Sequence, residues 1–562
     1  MPETDPESPP SNVTVSLKSE NDIELPWLKE LTAIGFEDDA QIATCDAKLI
    51  KRDRIRPSFW QDMEEPSQGT RDLAFGLFDR YGRVSRKYTD PGFRQGSGVW
   101  GCELDHGEIL FFEKLAVDSR CRRRGVGTQL VQAVLDNIRA NIGQNGYIVM
   151  VWPGILTQEV ARRDGDEAKR VYLATSRRFW RSLGFRRIGT SSWFAFTDDE
   201  GHPSRSLDVS EEWDPPQDTG FYTAISEPVQ GVIDHVLRAP ASTPEDLRQL
   251  DQVVPDSAED GRWFATNEHG NTVLHMAAMK GNLDLIKYLI ARCPDLATAR
   301  NREGDTPLEA LQSSMELLRT RSSYMEMVEV VSDRFKGFDQ STIACVEFLS
   351  RGKEVFDLTQ LSREEISRIS SATDSQARTI HPEADAICHA LRLKYGCTCG
   401  QCMGGFLSPR MKHKLIEETL GRRDEDRTIG WDNDDWLEEG RHMLTGRFVK
   451  CLKKGMIPNE NNILSSVSDK ERPTLEAFLE EGGTVSSIGT TIFQRMLDSE
   501  DWQLALSQTD QETATGRILP ECRNDLELGF VSGMCGYKRV SPGRKYFHDE
   551  EREEDDDDED FY

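Results

Sequence analysis

Three consecutive arginines and two nearby glycines form a basic segment between an apolar run and an amphipathic one. The arginines are Arg122, Arg123 and Arg124, and the glycines are Gly125 and Gly127. Glycines at a turn let a ligand approach the backbone, and the first amides of a helix lack intrahelical acceptors and attract anions. The segment therefore predicts a cradle for a phosphate or pyrophosphate group.

The segments on either side of this turn are the elements that must position it. Residues 109–117 are mostly apolar and have the length of a buried strand. Apolar residues recur at helical spacing after the turn, at Leu130, Val131, Val134, Leu135 and Ile138. The order is therefore strand, basic turn and helix.

The pattern Arg122-x-x-Gly125-x-Gly127 after a strand resembles the acetyl-CoA signature of the GNAT N-acetyltransferase family. The resemblance extends to residues 115–118, where that family has its fourth strand, and to a fifth strand at residues 147–152. An ordinary strand–helix turn with surface arginines is the alternative interpretation. The resemblance implies an α/β fold in which helices flank a mixed central sheet.

A helix ending in Leu-Gly-Phe, at residues 174–185, resembles the second motif of the same family. Gly184 suits the left-handed conformation that commonly follows a helix. The alternative of an ordinary turn leaves this downstream motif unexplained. The whole resemblance covers about residues 35–200.

The resemblance also implies how acetyl-CoA binds as a co-substrate. In the family, backbone groups of the fourth strand pair with the pantetheine arm as an added strand would. The turn then holds the pyrophosphate. The implied cofactor-binding residues are Leu115, Ala116, Val117, Arg122, Arg123, Arg124, Gly125, Val126, Gly127 and Thr128.

Transfer of an acyl group to an amine requires removal of a proton from the amine. Glu113 is the candidate base, because it lies on the fourth strand on the face of Phe111 and Leu115. The alternative is that Glu113 is a rim carboxylate or a salt-bridge partner. Trp180 stands where the family has a tyrosine acid, and indole does not protonate a leaving thiolate. Solvent can do so, because a thiol has a pKa of about 8.5.

Composition limits the class of protein. A chain of 562 residues predicts several domains. The net charge of -29 argues against general nucleic-acid binding. Twelve cysteines without a signal peptide favour a reducing compartment, cytoplasmic or nuclear, and no apolar run predicts a membrane span.

The pattern of composition predicts six regions along the chain. They are a disordered lead (1–24), the acetyltransferase domain (25–200), a linker (201–218), an ankyrin-repeat region (219–355), a helical region with a cysteine cluster (356–540) and an acidic disordered tail (541–562). Within the second region we expect strands at 42–50, 73–79 and 98–104 and a helix at 55–63.

A repeat begins near Gly270 and restarts near Gly304, which follows it by 34 residues, close to the ankyrin period of about 33. The first unit resembles an ankyrin repeat closely, whereas the second departs from the pattern at Glu309 and Leu311. We expect a structural role for His275, at the start of the repeat helix. The array predicts protein binding, and simple packing against neighbouring segments is the alternative.

A cysteine cluster follows, in a segment that resembles fungal ankyrin-type proteins of unassigned function. Cys397, Cys399 and Cys402 form Cys-x-Cys-x-x-Cys, and Cys388 is the expected fourth ligand of a structural zinc ion. His389 is an alternative fourth ligand, and Cys522 and Cys535 are remote ones. The other interpretation is a turn of buried, reduced cysteines.

Together these features predict an acetyl-CoA-dependent N-acetyltransferase with an ankyrin module for protein recognition. The acidic surface favours a basic acceptor, namely a protein lysine, a protein N-terminus or a polyamine. The alternative is an ankyrin scaffold whose N-terminal domain binds acyl-CoA but is weak or inactive as a catalyst. Trp180 favours that alternative, and the intact turn favours the enzyme.

Overall fold

The computed structural model describes most of the chain between residues 13 and 540. The residues that it leaves out within this span are 142–145, 155–165, 215–224, 226, 239–241, 268, 325–326, 331–334, 371, 373, 427–435, 507, 509 and 514–515. The predicted acidic tail, 541–562, lies outside the described residues. The chain divides into two compact units, the first holding residues up to Arg83 together with Gly107–Tyr147. The second holds Val84–His106 and the chain from Ile148 to Ser541.

Four antiparallel strands, in the order β1-β2-β3-β4, form the sheet of the first unit. They are β1 (Thr14–Asn21), β2 (Leu28–Glu37), β3 (Ala40–Ile50) and β4 (Glu108–Val117). Side chains alternate between the two faces of a strand, and the buried positions of β2 and β3 follow that alternation over most of their length. The apolar first half of β4, by contrast, is buried throughout.

Three helices complete the first unit. They are α1 (Phe59–Glu64), α2 (Gln68–Leu77) and α3 (Val126–Asn141). The apolar residues predicted at helical spacing in α3 are all buried. α3 approaches β2 closely at Gly35, where an added Cβ would lie 3.2 Å from the Leu130 side chain.

Two predictions for the first unit were wrong. The lead predicted to be disordered contributes β1, whose alternating side chains pair it with β2. Residues 73–79, predicted as a strand, lie mostly in α2 because Ser67 and Thr70 form a capping box that starts a helix. The strand expected at 42–50 is β3, and the helix expected at 55–63 includes most of α1.

The remaining acetyltransferase-type elements lie in the second unit, apart from their first residue, Tyr147. They are β5 (Tyr147–Val151), α4 (Asp166–Ser182), β6 (Arg186–Arg187), β7 (Phe194–Phe196) and α5 (Pro203–Ser206). β5 and β6 both pair with β7 in antiparallel fashion. The predicted strand at 98–104 is instead an irregular segment, with Gly98 at a positive φ, followed by a 3-10 helix at Cys102–Asp105. The seven strands and their flanking helices confirm the predicted α/β GNAT fold class.

The first part of the predicted linker is folded against this region. Arg181 binds the buried carboxylate of Glu212 and lies 3.0 Å from Asp214. Arg187 also binds Asp214. Residues 201–214 therefore belong to the folded domain, while 215–218 lie outside the described residues.

Helix pairs form the ankyrin-type region. The helices are α6 (Glu227–Val236), α7 (Pro244–Asp251), α8 (Val273–Met279), α9 (Leu283–Arg292), α10 (Pro307–Thr320) and α11 (Gln340–Arg351). A hairpin of β8 (Arg321–Tyr324) and β9 (Met327–Val330) separates α10 from α11. The turns before α8 and α10 repeat one hydrogen bond, from Asn267 N–H to Asn271 O (3.0 Å) and from Asn301 N–H to Asp305 O (2.9 Å).

The remaining chain is mostly helical, as predicted. Its helices are α12 (Arg363–Ser370), α13 (Asp374–Ile380), α14 (Ala384–Lys394), α15 (Pro409–Asp426), α16 (Trp436–Lys453), α17 (Glu460–Ser465), α18 (Arg472–Glu480), α19 (Val485–Asp498), α20 (Glu500–Leu506) and α21 (Leu528–Met534). A short hairpin joins β10 (Asp510–Glu512) and β11 (Ile518–Pro520). These helices share one hydrophobic core with the ankyrin-type helices. Among the described residues, no helix is both long enough and apolar enough to cross a membrane.

Candidate functional site

The basic turn between β4 and α3 has the backbone geometry of an anion-binding site. Arg123 has a φ of 60°, and Gly125 has a φ of 79°, so both are in the left-handed region. Such a conformation is rare for arginine and marks a constrained turn. Gln129 N–H binds Gly125 O at 3.1 Å, and the amides of Val126 to Thr128 precede that bond at the start of a helix. The turn thus places the amides that the predicted phosphate cradle requires in the first turn of α3, and anion binding there stays a prediction.

The three arginines of the turn have different environments. Arg122 and Arg123 are exposed, and Arg122 Nε donates to the Val117 carbonyl at 3.0 Å. Arg124 is half-buried and forms an ion pair with Glu37, with Nη1 at 3.2 Å from Oε2. The hydrogen bond from Arg124 lowers the pKa of the Glu37 carboxyl. The Arg124 guanidinium therefore anchors the turn to β2, and a Cβ built on Gly125 would meet no atom within 4 Å.

Strand β4 changes both its pairing register and its burial at Glu113. The pairing with β3 shifts there, because Asp46 lies opposite Lys114 whereas Ala47 lies opposite Phe112. Glu113 is thus the extra residue of a β-bulge, and bulges commonly redirect side chains beside functional sites. Residues 109–112 are buried, whereas residues 113–117 are half-buried or exposed. The predicted pantetheine-binding residues, Leu115, Ala116 and Val117, lie in this accessible half.

The carboxylate of Glu113 is held by partners on two other elements. The Lys48 ammonium of β3 forms an ion pair with it, and the Ser67 hydroxyl at the start of α2 donates to it. Lys48 lies opposite Phe111, so Glu113 contacts a residue on the Phe111 side of the sheet, as predicted. Leu115 lies opposite Cys45, which is three residues from Lys48, so the bulge places Leu115 on the other face and the predicted common face is wrong for Leu115. A Cβ on Gly69 would overlap the carboxylate, so the glycine permits this approach. The arrangement matches the salt-bridge alternative for Glu113 and leaves its proposed role as base to experiment.

Trp180 lies in the core of the acetyltransferase-type region. Its side chain is buried and packs edge-on against Phe179 and Phe185. Gly184 has a φ of 91°, as expected for the residue that ends α4. The tryptophan therefore serves as a packing residue where the family has its acid.

Four cysteine sulfurs converge in the second unit. They belong to Cys397, Cys399, Cys402 and Cys522, and all lie within 4.8 Å of one another. Neighbouring sulfurs are 3.6 Å apart for Cys397–Cys399 and Cys399–Cys402, and 3.3 Å apart for Cys402–Cys522. A hydrogen bond from the Cys399 thiol lowers the pKa of the Cys397 thiol.

The fourth member of this cluster differs from the predicted one. Cys388 was expected to complete the set, but it lies in α14 and packs against the hydrophobic core. The His389 ring is engaged elsewhere, because its Nε2 lies 3.0 Å from Glu347 Oε2. Cys535 is fully buried at the end of α21 and is not part of the cluster. Cys522, a remote alternative in the sequence, takes the fourth position because the segment after β11 returns to the cysteine loop.

The residues of the cluster fit a structural zinc ion. Four thiolates about 2.3 Å from zinc at tetrahedral angles lie about 3.8 Å from one another. The backbone N–H of Gln401 points to the Cys399 sulfur at 3.4 Å, and the Asn524 amide lies 3.9 Å from the Cys402 sulfur. Such donors orient metal-bound sulfur atoms.

The ankyrin-type region has the internal contacts of a repeat. His275 is buried, and its Nδ1 lies 2.8 Å from the Thr272 hydroxyl while its Nε2 lies 2.8 Å from the Asp305 carbonyl. Burial lowers the pKa of His275. These contacts give His275 the predicted structural role and join the first repeat to the second.

Comparisons with known proteins agree with this architecture. Residues 89–187 match the family described as the acetyltransferase (GNAT) domain, and residues 269–298 match the family described as the ankyrin repeat. The order of the two predicted modules is thereby confirmed. The acetyltransferase domain indicates an acyltransferase, and the ankyrin repeat indicates protein interaction.

A curated relative matches a short part of the chain. The Tonsoku-like protein of Danio rerio is 38% identical over 85 residues, which are 15% of this chain. The chain spans only 6% of the length of that relative. No solved structure matches the chain.

Sequence reasoning missed the partners that hold the site residues in place. Glu37, Lys48 and Ser67 each contact a predicted site residue, but all three come from segments distant from it in sequence. Ser67 is a favourable residue at a helix start, but Thr70 is not the Glu or Gln of the usual capping-box signature, so the sequence indicates this helix start only weakly. Nothing local indicates which charged residue a strand or turn will meet after folding.

Proposed function

We propose that the N-terminal domain is an N-acyltransferase that uses acetyl-CoA. The geometry of the turn at residues 122–128 carries this proposal, because it presents amides, exposed arginines and open space at Gly125 to an anion. A pyrophosphate is the part of coenzyme A that such a turn would bind. The accessible half of β4 leads directly into the turn.

In the proposed reaction, the neutral nitrogen of an amine attacks the thioester carbonyl. A carbon–nitrogen bond forms, the carbon–sulfur bond breaks, and the leaving thiolate takes a proton. An ammonium acceptor loses one proton before attack, and the nitrogen loses a second proton as the amide forms. Because Trp180 is buried in the core and indole is not an acid in this role, solvent supplies the proton to the thiolate.

Glu113 is the proposed acceptor of the amine proton. It lies at the bulge where β4 becomes accessible, and its carboxylate already binds two donors. Protonation of Glu113 would remove the counter-ion of Lys48, which opposes the role of base. The competing proposal is therefore that the Glu113–Lys48 pair fixes the bulge and that water accepts the proton.

The acceptor proposed for this enzyme is basic. The chain has a net charge of -29, and a field of that sign concentrates cations at the surface. A protein lysine, a protein N-terminus and a polyamine all have this chemistry. The ankyrin-type region is the proposed site for a protein partner.

The first test is calorimetric titration of acetyl-CoA into the full chain. The full chain is needed for two reasons. A fragment starting at residue 25 would lack β1, and residues 84–106 belong to the second unit although they precede β4 in the sequence. We expect micromolar binding that is lost in Gly125→Glu and kept in Gly421→Glu, a control in the last part of α15. Equal binding by both variants would refute the assignment of the turn.

The second test distinguishes a role of Glu113 as the base from a role in which its ion pair with Lys48 only positions the bulge. If Glu113 is the base, Glu113→Gln loses most turnover of acetyl-CoA at every pH, and the acidic limb of the pH–rate profile disappears. If the ion pair only fixes the bulge, Glu113→Gln and Lys48→Met have similar losses and the limb remains. Binding of acetyl-CoA without turnover in the wild type, with lysine peptides and polyamines as acceptors, would favour the scaffold alternative.

We also propose that Cys397, Cys399, Cys402 and Cys522 bind a structural zinc ion. The single observation behind this proposal is the fit of the sulfur–sulfur distances to tetrahedral coordination. Four protein ligands leave no open position, so the ion would stabilise the fold and take no part in acyl transfer. Loss of bound zinc in Cys522→Ser but not in Cys388→Ser tests this proposal.

A further inference from the structure

A large cavity lies beside the cysteine loop in the second unit. Its volume is about 970 Å³, and its wall includes Gly400 and Cys402 of the loop and the first residues of α15. Apolar side chains, Leu391, Leu407 and Ile416, form another part of the wall. The volume is in the range of small-molecule sites, about 300–1,000 Å³.

Three cationic side chains of this wall have no acidic partner in the described part of the chain. They are Arg392 of α14, Lys412 of α15 and Arg517 of the β10–β11 hairpin. The acidic residue of the wall, Asp385, is already paired with Arg378, whose Nε lies 3.1 Å from both carboxylate oxygens. The cavity therefore has an excess of positive charge, in a chain whose net charge is -29.

The placement of these cations is unfavourable without a ligand. Arg392 Nε is buried and has no hydrogen-bond partner among the described residues. Burial lowers the pKa of Lys412, and the nearby charge of Arg517 lowers it further. Like charges that approach one another in a partly buried site destabilise the fold unless an anion lies between them.

The helix behind the cavity adds to the positive potential. α15 is 18 residues long, and Ser408 and Pro409 at its start belong to the cavity wall. The amino end of a helix carries about half a positive charge. The Ser408 hydroxyl accepts the Met411 N–H at 3.0 Å and so fixes the start of this helix.

We propose that this cavity binds a phosphate ester of nucleotide size. Guanidinium and ammonium groups suit phosphate oxygens, and the apolar wall suits the organic part of the ligand. The volume exceeds what an inorganic ion fills. This site is separate from the turn at residues 122–128 and does not depend on the proposed acyl transfer.

Calorimetric titration of ATP and of inorganic pyrophosphate into the full chain tests the proposal. The decisive variant is Arg392→Gln with Lys412→Gln, and the control is Lys470→Gln with Arg472→Gln, which removes the same charge from exposed positions. We expect wild type and control to bind ATP alike and the cavity variant to bind at least about tenfold more weakly. Pyrophosphate should bind more weakly than ATP, because it does not reach the apolar wall.

Thermal unfolding gives a second readout that a merely structural role would not produce. Without ligand, the cavity variant should unfold at the same or a higher temperature than wild type, because repulsion has been removed. ATP should raise the unfolding temperature of wild type and control but not of the cavity variant. Equal ATP affinity in the cavity variant, or no binding of either probe at millimolar concentration, would overturn the proposal.

Discussion

Arg94 and Asp305 form a bidentate ion pair although 211 residues separate them in the sequence. Their side chains are only 11% and 4% exposed. Arg94 belongs to the segment Val84–His106 that precedes β4, and Asp305 belongs to the turn of the second ankyrin-type repeat. Phe93 lies in the same contact, with the Arg300 guanidinium 4.3 Å from its ring centroid. The acetyltransferase loop is thus held by the repeat turn within the second unit.

This ion pair predicts that single and paired substitutions lower the free energy of unfolding by different amounts. Asp305→Asn leaves the buried Arg94 with only the exposed Glu303 carboxylate, 3.9 Å away, and should lower the free energy of unfolding by about 3–5 kcal/mol. Burial raises the pKa of Asp305 and the hydrogen bond from Arg94 opposes that rise, so the pair offsets a desolvation cost. Arg94→Met combined with Asp305→Asn should therefore be closer in stability to wild type than either Arg94→Met or Asp305→Asn alone.

Urea unfolding of the four proteins measures these differences as a double-mutant cycle. Asp469→Asn is the control, because the Arg472–Asp469 pair is 68% and 96% exposed and should contribute less than about 1 kcal/mol. A paired variant that is less stable than both single variants would contradict the interpretation.

The cysteine cluster predicts different metal contents for two cysteine variants. Cys522→Ser should reduce bound zinc well below the one equivalent expected for the wild type, because it removes a ligand. Cys388→Ser should keep one equivalent, since Cys388 lies outside the cluster. Atomic absorption of the purified proteins measures the zinc, and a chelator should lower the unfolding temperature of wild type and Cys388→Ser alike. Zinc loss in Cys388→Ser alone would restore the sequence-based ligand set.

His275 predicts a pH dependence of stability. Its pKa is lowered in the folded state, so the unfolded chain binds the proton more readily. The neutral ring therefore contributes full stability above the unfolded pKa of about 6.5, and that contribution is lost as the pH falls below this value. The slope for one proton is at most about 1.4 kcal/mol per pH unit.

Comparison with His275→Gln isolates this slope. The stability difference between wild type and variant should be largest near pH 8 and should decrease between pH 6.5 and pH 5, which chemical unfolding at several pH values can follow. A difference that grows on acidification would show that the charged ring is preferred in the fold.

Alanine substitution at two glycines should change the free energy of unfolding in opposite directions. Gly125→Ala forces a Cβ into the left-handed conformation at φ 79° and should cost about 1–2 kcal/mol, although there is open space beside it. Gly421→Ala lies within α15, also in open space, and should stabilise by roughly 0.5–1 kcal/mol. Thermal unfolding of both variants provides the measurement. A rise in the unfolding temperature of both variants would show that the turn is not constrained as described.

The elements that sequence predicted well carry their own local signals. The segment from β4 through the turn to α3 combines an apolar run, two glycines and a helical repeat, and all three have the expected positions. The ankyrin-type turns repeat because Gly270 and Gly304 both adopt a positive φ in the same short loop. Such signals lie within a few residues and do not depend on the rest of the fold.

The errors occurred where distant contacts decide the structure. β1 is polar at its ends and is stabilised by pairing with β2, so its composition alone resembles a disordered lead. Residues 73–79 have strand-like bulk, but the cap at Ser67 and burial against the sheet select a helix. Cys522 joins a cluster 120 residues away from Cys402, a distance that no local spacing rule covers.

The convergence of Cys402 and Cys522 also has a consequence for the chain as a polymer. A metal ion bound at both residues closes a loop of 120 residues, which contains α15 through α20. Closing a loop of that length removes conformational entropy from the unfolded chain, a contribution of about 4–5 kcal/mol in the chain-entropy estimate for a covalent cross-link. Because that contribution depends on a ligand, removal of the metal would turn the loop into an open chain, and the shared hydrophobic core alone would then hold α15 through α20 to the cysteine loop.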